Sequence, residues 1–557
     1  MDPNLAHPDV SLFSSKTTDL MDVSQISDVP KYHGMLARRT HELECELWAL
    51  RCCHNAVTLT CRLPPEILAR IFLDLASMGL SSWYAPNYRV SVSWLRVTFV
   101  CRHWRSVALQ SPSLWSNIVF SNTNLAEAML TRSKGAPLTI WYDNVNNRDK
   151  PSSVLTTALS SVDRLRSVNL RVSPLHDDSY IRPALLAWAQ KTGPALTSFE
   201  MSSCMYNRNG SLPKAFLRAS SHSLRILSIV GCDCTWEDLP IGPTITHLSL
   251  KPGKMFSSNT HRPTLSMFVY SLQQMPLLQC LNLSGFLPSE ADTQYPEPIY
   301  IPSLRSLSLE DDARIIEVSL PILRVPRGAR VDLKSRCFTE TNNDAERVDQ
   351  TLRGLRGFVP ANRAFRKLLF RVDLQIISAP HFEFWFEEGA DDTVERPCLT
   401  LSFYVHPMAS FPDYITLIRN HLGAPDTMSL HLKDYPRMPA RALRTALGQI
   451  PQLNVVTFEA FPFGDIPKFL KSPAHLDGTS ASSNEGGCFP GLTIINCVAL
   501  DMGAFKDDDF PEVIVRMLDG HTIREINFQS CINFRKKCFE MMKEKVPSVL
   551  FSCDRLQ

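Results

Sequence analysis

The stretch Ile301-Pro302-Ser303-Leu304-Arg305-Ser306-Leu307-Ser308-Leu309-Glu310 holds three leucines, the first two parted by two residues and the last two by one. In an extended segment successive side chains alternate between faces. Leu307 and Leu309 therefore turn one way, and Ser306, Ser308 and Glu310 the other. The same phrase stands at Leu165/Val168/Leu170, Leu196/Phe199/Met201, Leu224/Leu227/Ile229, Ile245/Leu248/Leu250 and Leu278/Leu281/Leu283. Weaker copies are Phe365/Leu368/Phe370, Leu453/Val456/Phe458, Leu492/Ile495/Cys497 and Ile523/Ile526/Phe528. The six strong copies are separated by 31, 28, 21, 33 and 26 residues, and a proline often stands just ahead, as in Met275-Pro276-Leu277-Leu278 and Ile450-Pro451-Gln452-Leu453.

A recurring strand at this spacing predicts stacked units, because one short strand cannot bury its apolar side alone. The phrase resembles that of the leucine-rich repeat, whose unit is ~20–29 residues with one strand. Several units here are longer, and the asparagine typical of that repeat is mostly missing. Between Leu309 and Leu453 the phrase fades: Leu399/Leu401/Phe403 and Met428/Leu430/Leu432 alternate as strands at irregular spacing. Glu387-Glu388, Asp391-Asp392 and residues 472–487 read as loops, 533–545 as a helix and Val549-Leu550-Phe551 as a closing strand.

Ahead of the repeats lies a helical segment. Leu63-Pro64-Pro65-Glu66-Ile67-Leu68-Ala69-Arg70-Ile71-Phe72 opens with prolines where a first helical turn tolerates them, and its apolar residues recur at helical spacing. Val97, Val100, Cys101, Trp104 and Ala108 form a second helical face, closed by Ser111-Pro112-Ser113-Leu114-Trp115, and Ile118-Val119-Phe120 a first buried strand. Residues 77–93 make a long connection between the two faces. Upstream, Leu36, Leu43, Leu50 and Val57 fall seven apart with Leu47 between them, which predicts an amphipathic helix over 32–57. Such a helix either packs on its neighbour in the chain or self-associates. Residues 1–30 have neither period and are expected to be disordered.

Bulk composition is that of a soluble globular protein: 557 residues, 44% hydrophobic and 20% charged. A net charge of +2 gives no reason to expect nucleic acid, and no apolar run is long enough for a membrane span. The start Met1-Asp2-Pro3-Asn4 lacks the signature of a secretory leader, so the 16 cysteines are expected to be reduced and the chain intracellular, in cytoplasm, nucleus or both. No phosphate-binding glycine loop, dinucleotide fingerprint, nucleophile elbow or His-Glu-x-x-His occurs. Cys232/Cys234 and Cys52/Cys53/His54 are the nearest approach to metal ligands, and each lacks a second half. No enzyme activity, cofactor or metal is expected.

The ordered elements Leu63–Leu68, Val100-Cys101-Arg102-His103-Trp104-Arg105 and Ala108–Trp115 resemble an F-box, in a form common among fungal F-box proteins. With the repeats behind it, the chain resembles F-box proteins carrying leucine-rich repeats. The expected architecture is α+β to α/β: a disordered stretch 1–30 and a helix 31–60, read from pattern, then, as the resemblance implies, a three-helix F-box 61–117 and an irregular leucine-rich-repeat-like solenoid of strands and helices over 118–557. The resemblance also implies docking on a Skp-type linker protein, and through it on cullin and RING subunits of a ubiquitin ligase, with the repeats selecting an unknown protein substrate. The linker-facing residues carried over are Leu63, Pro64, Ile67, Leu68, Ile71, Val100, Cys101, Trp104, Leu114 and Trp115. For Ile71, Phe72 and Val100 a place in the box's own core is an equal reading. The strand positions turned from the core, the expected substrate face, include Ser167, Asn169, Glu200, His247, Asn282, Ser308, Glu310, Asn496 and Asn527. The alternative is a repeat scaffold that binds partners without any ligase.

Overall fold

The computed structural model describes residues 13–22, 26, 28–78, 92–120, 122–143, 153–172, 181–190, 196–203, 220–232, 234–253, 262–288, 297–326, 328–336, 344–355, 365–373, 379–386, 398–404, 411–422, 429–433, 448, 450–470, 489–503, 509–519 and 521–554. They divide into two compact units, Met1–Trp141 and Tyr142–Gln557. Of the expected loops, 387–397 and 471–488 lie outside the described residues, as does 79–91 of the long connection.

The first unit begins with a short helix α1 (Ser15–Thr18) inside the expected disordered stretch, most of the rest of which is not described. Helix α2 (Val29–Val57) follows, capped by Asp28, whose carboxylate accepts from Lys31 N at 3.0 Å. Helix α3 (Pro65–Met78) starts where the paired prolines place it, with Pro64 O accepting from Ile67 N and Leu68 N. The second predicted face is not one helix. A 3-10 turn over Ser93–Phe99 is separated from α4 (Arg102–Gln110) by Cys101 in an extended conformation, φ −155° and ψ 169°. The predicted face ends there: Val97 is buried, and Val100, at the end of the 3-10 turn, is 58% exposed. The turn Pro112–Trp115, strand β1 (Asn117–Val119), helix α5 (Thr123–Arg132) and strand β2 (Leu138–Asp143) complete the unit, with β1 parallel to β2.

The second unit is a parallel sheet of the recurring phrase. Strands β3 (Leu165–Val172), β4 (Ser198–Ser203), β5 (Ile226–Val230), β6 (His247–Lys251) and β7 (Cys280–Ser284) pair in chain order. The pair β8 (Ile299–Tyr300) and β10 (Leu323–Arg324) stands apart, while β9 (Ser306–Asp312) joins β7 on one edge and β11 (Arg330–Arg336) on the other. The first apolar residue of each phrase, such as Leu224, Ile245, Leu278 and Leu304, is buried ahead of its strand. The second and third alternate with half-exposed neighbours along it. Backbone bonds step from unit to unit at the strand starts: Arg225 N donates to Thr197 O, Thr246 N to Arg225 O, Gln279 N to Thr246 O and Arg305 N to Gln279 O.

The prolines have a geometric reason. In Met275-Pro276-Leu277-Leu278, Ile301-Pro302-Ser303-Leu304 and Ile450-Pro451-Gln452-Leu453, the last residue's N–H donates to the first residue's carbonyl. Each is a β-turn with proline at its second position, where its fixed φ is pre-set for the turn. Gly242-Pro243-Thr244-Ile245, Phe489-Pro490-Gly491-Leu492 and Val546-Pro547-Ser548-Val549 make the same bond. The turn thus anchors the buried first position of the phrase just before its strand. Gly231, after β5, has φ +77°, and a Cβ there would meet Ser203 O at 1.9 Å, so close stacking on the preceding unit needs glycine.

Where the phrase fades, the sheet persists but chain order does not. Strands β12 (Phe365–Asp373), β13 (Ala379–Phe386) and β14 (Leu399–Tyr404) run back across the sheet as antiparallel neighbours. Strand β14 then pairs parallel with β11, and β12 with β15 (Ser429–Lys433). The spatial order is β9-β11-β14-β13-β12-β15, in which β13 alone runs against the rest. From β15 the chain resumes consecutive order through β16 (Val455–Glu459), β17 (Ile494–Val498), β18 (Glu525–Gln529) and β19 (Leu550–Cys553).

Short helices cover the apolar side of the sheet: α6 (Ser153–Ser160), α7 (Ile181–Gln190), α8 (Leu265–Gln273), α9 (Ala313–Ser319), α10 (Asp344–Gly354), α11 (Phe411–Leu422), α12 (Ile466–Leu470), α13 (Phe510–Leu518) and α14 (Lys536–Lys545). Trp188 of α7 meets Phe199 of β4 edge to face at 6.0 Å, and Phe469 of α12 meets Phe458 of β16 at 5.5 Å. The side of the strands away from these helices is therefore the polar one.

A largely buried charge pair in the second unit joins Asp311 and Arg262. Asp311, on the buried alternation of β9, accepts from both terminal nitrogens of Arg262 at 2.7 and 2.8 Å and from Leu287 N at 3.3 Å. Removing one partner of such a pair strands a buried charge, whereas replacing both with apolar groups does not. Arg262→Met is expected to lower unfolding stability by about 3–5 kcal/mol, and Arg262→Met/Asp311→Leu by distinctly less, both read from urea denaturation midpoints.

Candidate docking surfaces

Helix α3 carries two apolar stripes one residue apart. Leu68, Phe72 and Ala76, at i, i+4 and i+8, are buried; Ile67, Ile71 and Leu75, at the same spacing, are exposed, Ile67 by 49%. The inward stripe is held by aromatic packing: Phe72 meets Trp104 of α4 at 5.2 Å, and Trp94 meets Trp115 edge to face at 5.1 Å. Trp115 is pinned further by its indole N–H, which donates to Ala108 O at 2.7 Å, and by the Arg132 guanidinium over its ring at 4.5 Å. Cys101 caps α4, its Sγ accepting from Trp104 N at 3.5 Å and lying 3.7 Å from Cys61 Sγ. Burial and the neighbouring Cys61 push the Cys101 thiol above its ordinary pKa, so it stays protonated.

These contacts sort the residues expected to face a partner. Pro64, Ile67, Ile71 and Val100 are exposed, and Leu63, Cys101 and Trp104 are half-buried. Leu68, Leu114 and Trp115 lie in the unit's own core, because the inward stripe and the two tryptophans need them to close it. Sequence reading missed Phe99, which is 78% exposed beside Val100, and the third exposed stripe residue, Leu75. Leu75 was legible from the i+4 spacing. Phe99 was not, because no helical period separates it from its buried neighbours Val97 and Thr98.

The polar side of the sheet assembles the other candidates into rows. Register places Asn169, Glu200, Ser228, Ser249, Asn282, Ser308 and Asp332 opposite one another on successive strands. Asn169 Nδ2 donates to Glu200 Oε2 at 3.2 Å, and Ser308 Oγ to Asp332 Oδ2 at 3.2 Å. Ser167 is buried at the start of this face, and Asn282 is exposed. His247 is half-buried, its Nδ1 2.8 Å from Thr246 Oγ1, and burial pushes its pKa down. Glu310 lies between Lys251, at 3.7 Å, and Arg336, with which it forms a close ion pair. Further along, Asn527 Nδ2 donates to Asn496 Oδ1 at 3.0 Å, and Asn496 Nδ2 to Thr457 Oγ1 at 3.1 Å. The candidates thus fall into two groups, on β3–β9 and on β16–β18, parted by β11, β14, β13, β12 and β15. The charged residues Asp332, Lys334 and Arg336 of β11 escaped the sequence reading because that strand lacks the full phrase. Its Val331/Leu333 alternation was the available signal.

Among the described residues no group of three or more His, Cys, Asp or Glu side chains is placed to hold a metal ion. No described helix is long and apolar enough to cross a membrane.

Residues 60–121 match the F-box-like family model, so the helical module with its two-striped helix is an F-box-like domain. No curated protein matches the chain. Among solved structures the chain is similar to one from the crystal structure of the Rad7 and Elc1 complex in yeast. That match has 13% identity, covers 95% of this chain and 93% of the other, and has a TM-score of 0.23, too low to carry a structural argument.

Glu200 gives the polar face a pH dependence. Burial pushes its carboxyl from 4.5 up to about 7, against a weak opposing bond from Ser198. A carboxyl with a raised folded pKa binds its proton more tightly in the folded chain. Its contribution to stability is full below about pH 4.5 and is lost as pH rises through 7. Glu200→Gln is expected to remove a loss of about 1–2 kcal/mol between pH 5 and pH 8, measured as denaturation midpoint against pH.

Proposed function

We propose that this protein is the substrate-recognition subunit of a Skp–cullin–F-box type ubiquitin ligase. In this reading the F-box-like domain docks on a Skp-type linker protein, and the linker joins it to cullin and RING subunits. The polar side of the parallel sheet binds the target protein. The chain is then a non-catalytic adaptor, acting by raising the local concentration of its target beside the ubiquitin carrier.

The observation that carries this reading is the double stripe on α3. A helix in a module of about 60 residues can be covered on one side by its own neighbours. Ile67, Ile71 and Leu75 remain outside, and Phe99 and Val100 are exposed as well. Exposed apolar side chains at i, i+4 and i+8 are the arrangement a partner's groove receives. Of the residues first expected at this contact, Pro64, Ile67, Ile71 and Val100 form its accessible part, with Leu63, Cys101 and Trp104 at its margin. Leu68, Leu114 and Trp115 support it from within.

On the target side, the row from Asn169 to Asp332 and the group from Thr457 to Asn527 offer neutral and charged hydrogen-bonding groups without one dominant sign. That composition suits a folded or extended protein surface better than a polyanion.

The test is binding of the purified Skp-type linker to the full chain. Wild type is expected to co-purify with it. Ile67→Asp/Ile71→Asp is expected to weaken binding by about 100-fold or more with an unchanged circular dichroism spectrum, since both side chains are exposed. A wild-type chain that ignores the linker overturns the proposal.

A further inference from the structure

Helix α2 runs for 29 residues with no buried side chain. Its length is about 43 Å. Helices in folded proteins draw most of their stability from packing an apolar face, and α2 leaves the apolar stripe of its C-terminal half uncovered. Leu43, Leu47, Leu50 and Val57 are all exposed, Leu50 by 68%. The contacts α2 does make lie at Tyr32 and Arg39, in its N-terminal half beside the half-buried Leu36, and at Trp48. Tyr32 Oη donates to Leu20 O, Arg39 reaches Ser14 and Thr17, and the Arg102 guanidinium sits over the Trp48 ring at 5.3 Å.

The heptad assigns these residues. With Leu36, Leu43, Leu50 and Val57 as d, the a positions are His33, Thr40, Leu47 and His54. The g positions of the central heptads are then Arg39 and Glu46, and the e positions Glu44 and Arg51. In a parallel two-stranded coiled coil each g residue faces the e residue of the other chain five positions further on. Arg39 meets Glu44 of the second copy, and Glu46 meets Arg51. Both pairs are of opposite sign, and two-fold symmetry doubles them. Sliding one helix by a heptad sets Arg39 against Arg51 in one direction and Glu46 against Glu44 in the other. The charges therefore select the in-register arrangement and penalise its nearest competitors.

We propose that α2 forms a parallel, in-register coiled coil with α2 of a second copy of this chain. The occupant of its exposed stripe is the same stripe on the partner copy. Polar residues at three of the four a positions lower the stability of such a dimer, so it is concentration-dependent rather than obligate. In the single chain the largely buried Arg39 bonds Ser14, Thr17 and Glu42, and pairing across the dimer requires it to leave those contacts. The Glu46–Arg51 pairs require only that exposed Glu46 turn from Arg39, 3.9 Å away, toward the exposed Arg51. The consequence is two F-box-like modules in one particle, which raises apparent affinity for any partner that is itself multivalent. This inference does not rest on the ligase reading, and linker binding does not report on it.

The experiment is the mass of the full-length chain by light scattering coupled to size exclusion, across a concentration series. Wild type is expected to approach twice the chain mass as concentration rises. Leu43→Asp/Leu50→Asp, at exposed positions, is expected to abolish the dimer with helix content in the rest of the chain retained. Glu46→Arg is expected to weaken dimerisation roughly tenfold, and Glu46→Arg/Arg51→Glu to restore it. A monomeric wild type at every concentration overturns the proposal. So does a dimer that survives Leu43→Asp/Leu50→Asp, or a double charge swap no stronger than the single one.

Discussion

A parallel strand cannot finish its own hydrogen bonds. Its neighbours must come from units before and after it, each a crossover away in the chain. The second unit of this protein depends on that constraint. Every five-residue strand buries two apolar side chains against the helix layer and lends its backbone to the strands beside it. The ladder from Arg166 through Thr197, Arg225, Thr246, Gln279 and Arg305 shows the dependence as a chain of bonds one unit apart. Proline turns ahead of the strands hold the first buried residue at the level where the ladder starts.

The same constraint explains how the fold crosses the region where the phrase is lost. A solenoid that stopped at β11 would leave an open edge with Val331 and Leu333 partly uncovered. The hairpin run β12-β13-β14 fills the gap by returning through the sheet, so that β14 completes β11 and β12 offers a fresh parallel edge to β15. The hydrogen-bonded surface stays continuous although the order of the chain is interrupted. The polar groups on either side of this stretch belong to one sheet and occupy two distinct neighbourhoods on it.

The F-box-like domain obeys a different constraint. It is too small to enclose both sides of its first helix, so two stripes one residue apart divide the work. Leu68, Phe72 and Ala76 close the core with Trp94, Trp104 and Trp115, while Ile67, Ile71 and Leu75 face outward. Helical spacing alone could not separate the stripes, since residues 67 and 68 are both apolar and both at the start of the helix. The second segment misled for a related reason. Its apolar residues fit one helical face in sequence, but the extended Cys101 ends that face, with Val97 in the core and Phe99 and Val100 exposed.

What the amino-acid sequence determined by itself was local and periodic. The alternation Leu-x-Leu assigned strands and their apolar side, paired prolines located the start of α3, and the seven-residue spacing marked α2 along almost its whole length. These follow from a repeat of about two or 3.6 residues, which a linear chain displays openly. Tertiary structure decided which apolar residues are core and which are surface, that the strand order reverses between β11 and β15, and that Lys251, Glu310 and Arg336 converge. Those outcomes depend on pairings between residues far apart in the chain, and no local period records them. Burial is a property of neighbours rather than of residue type, so it becomes readable only when the neighbours are in place.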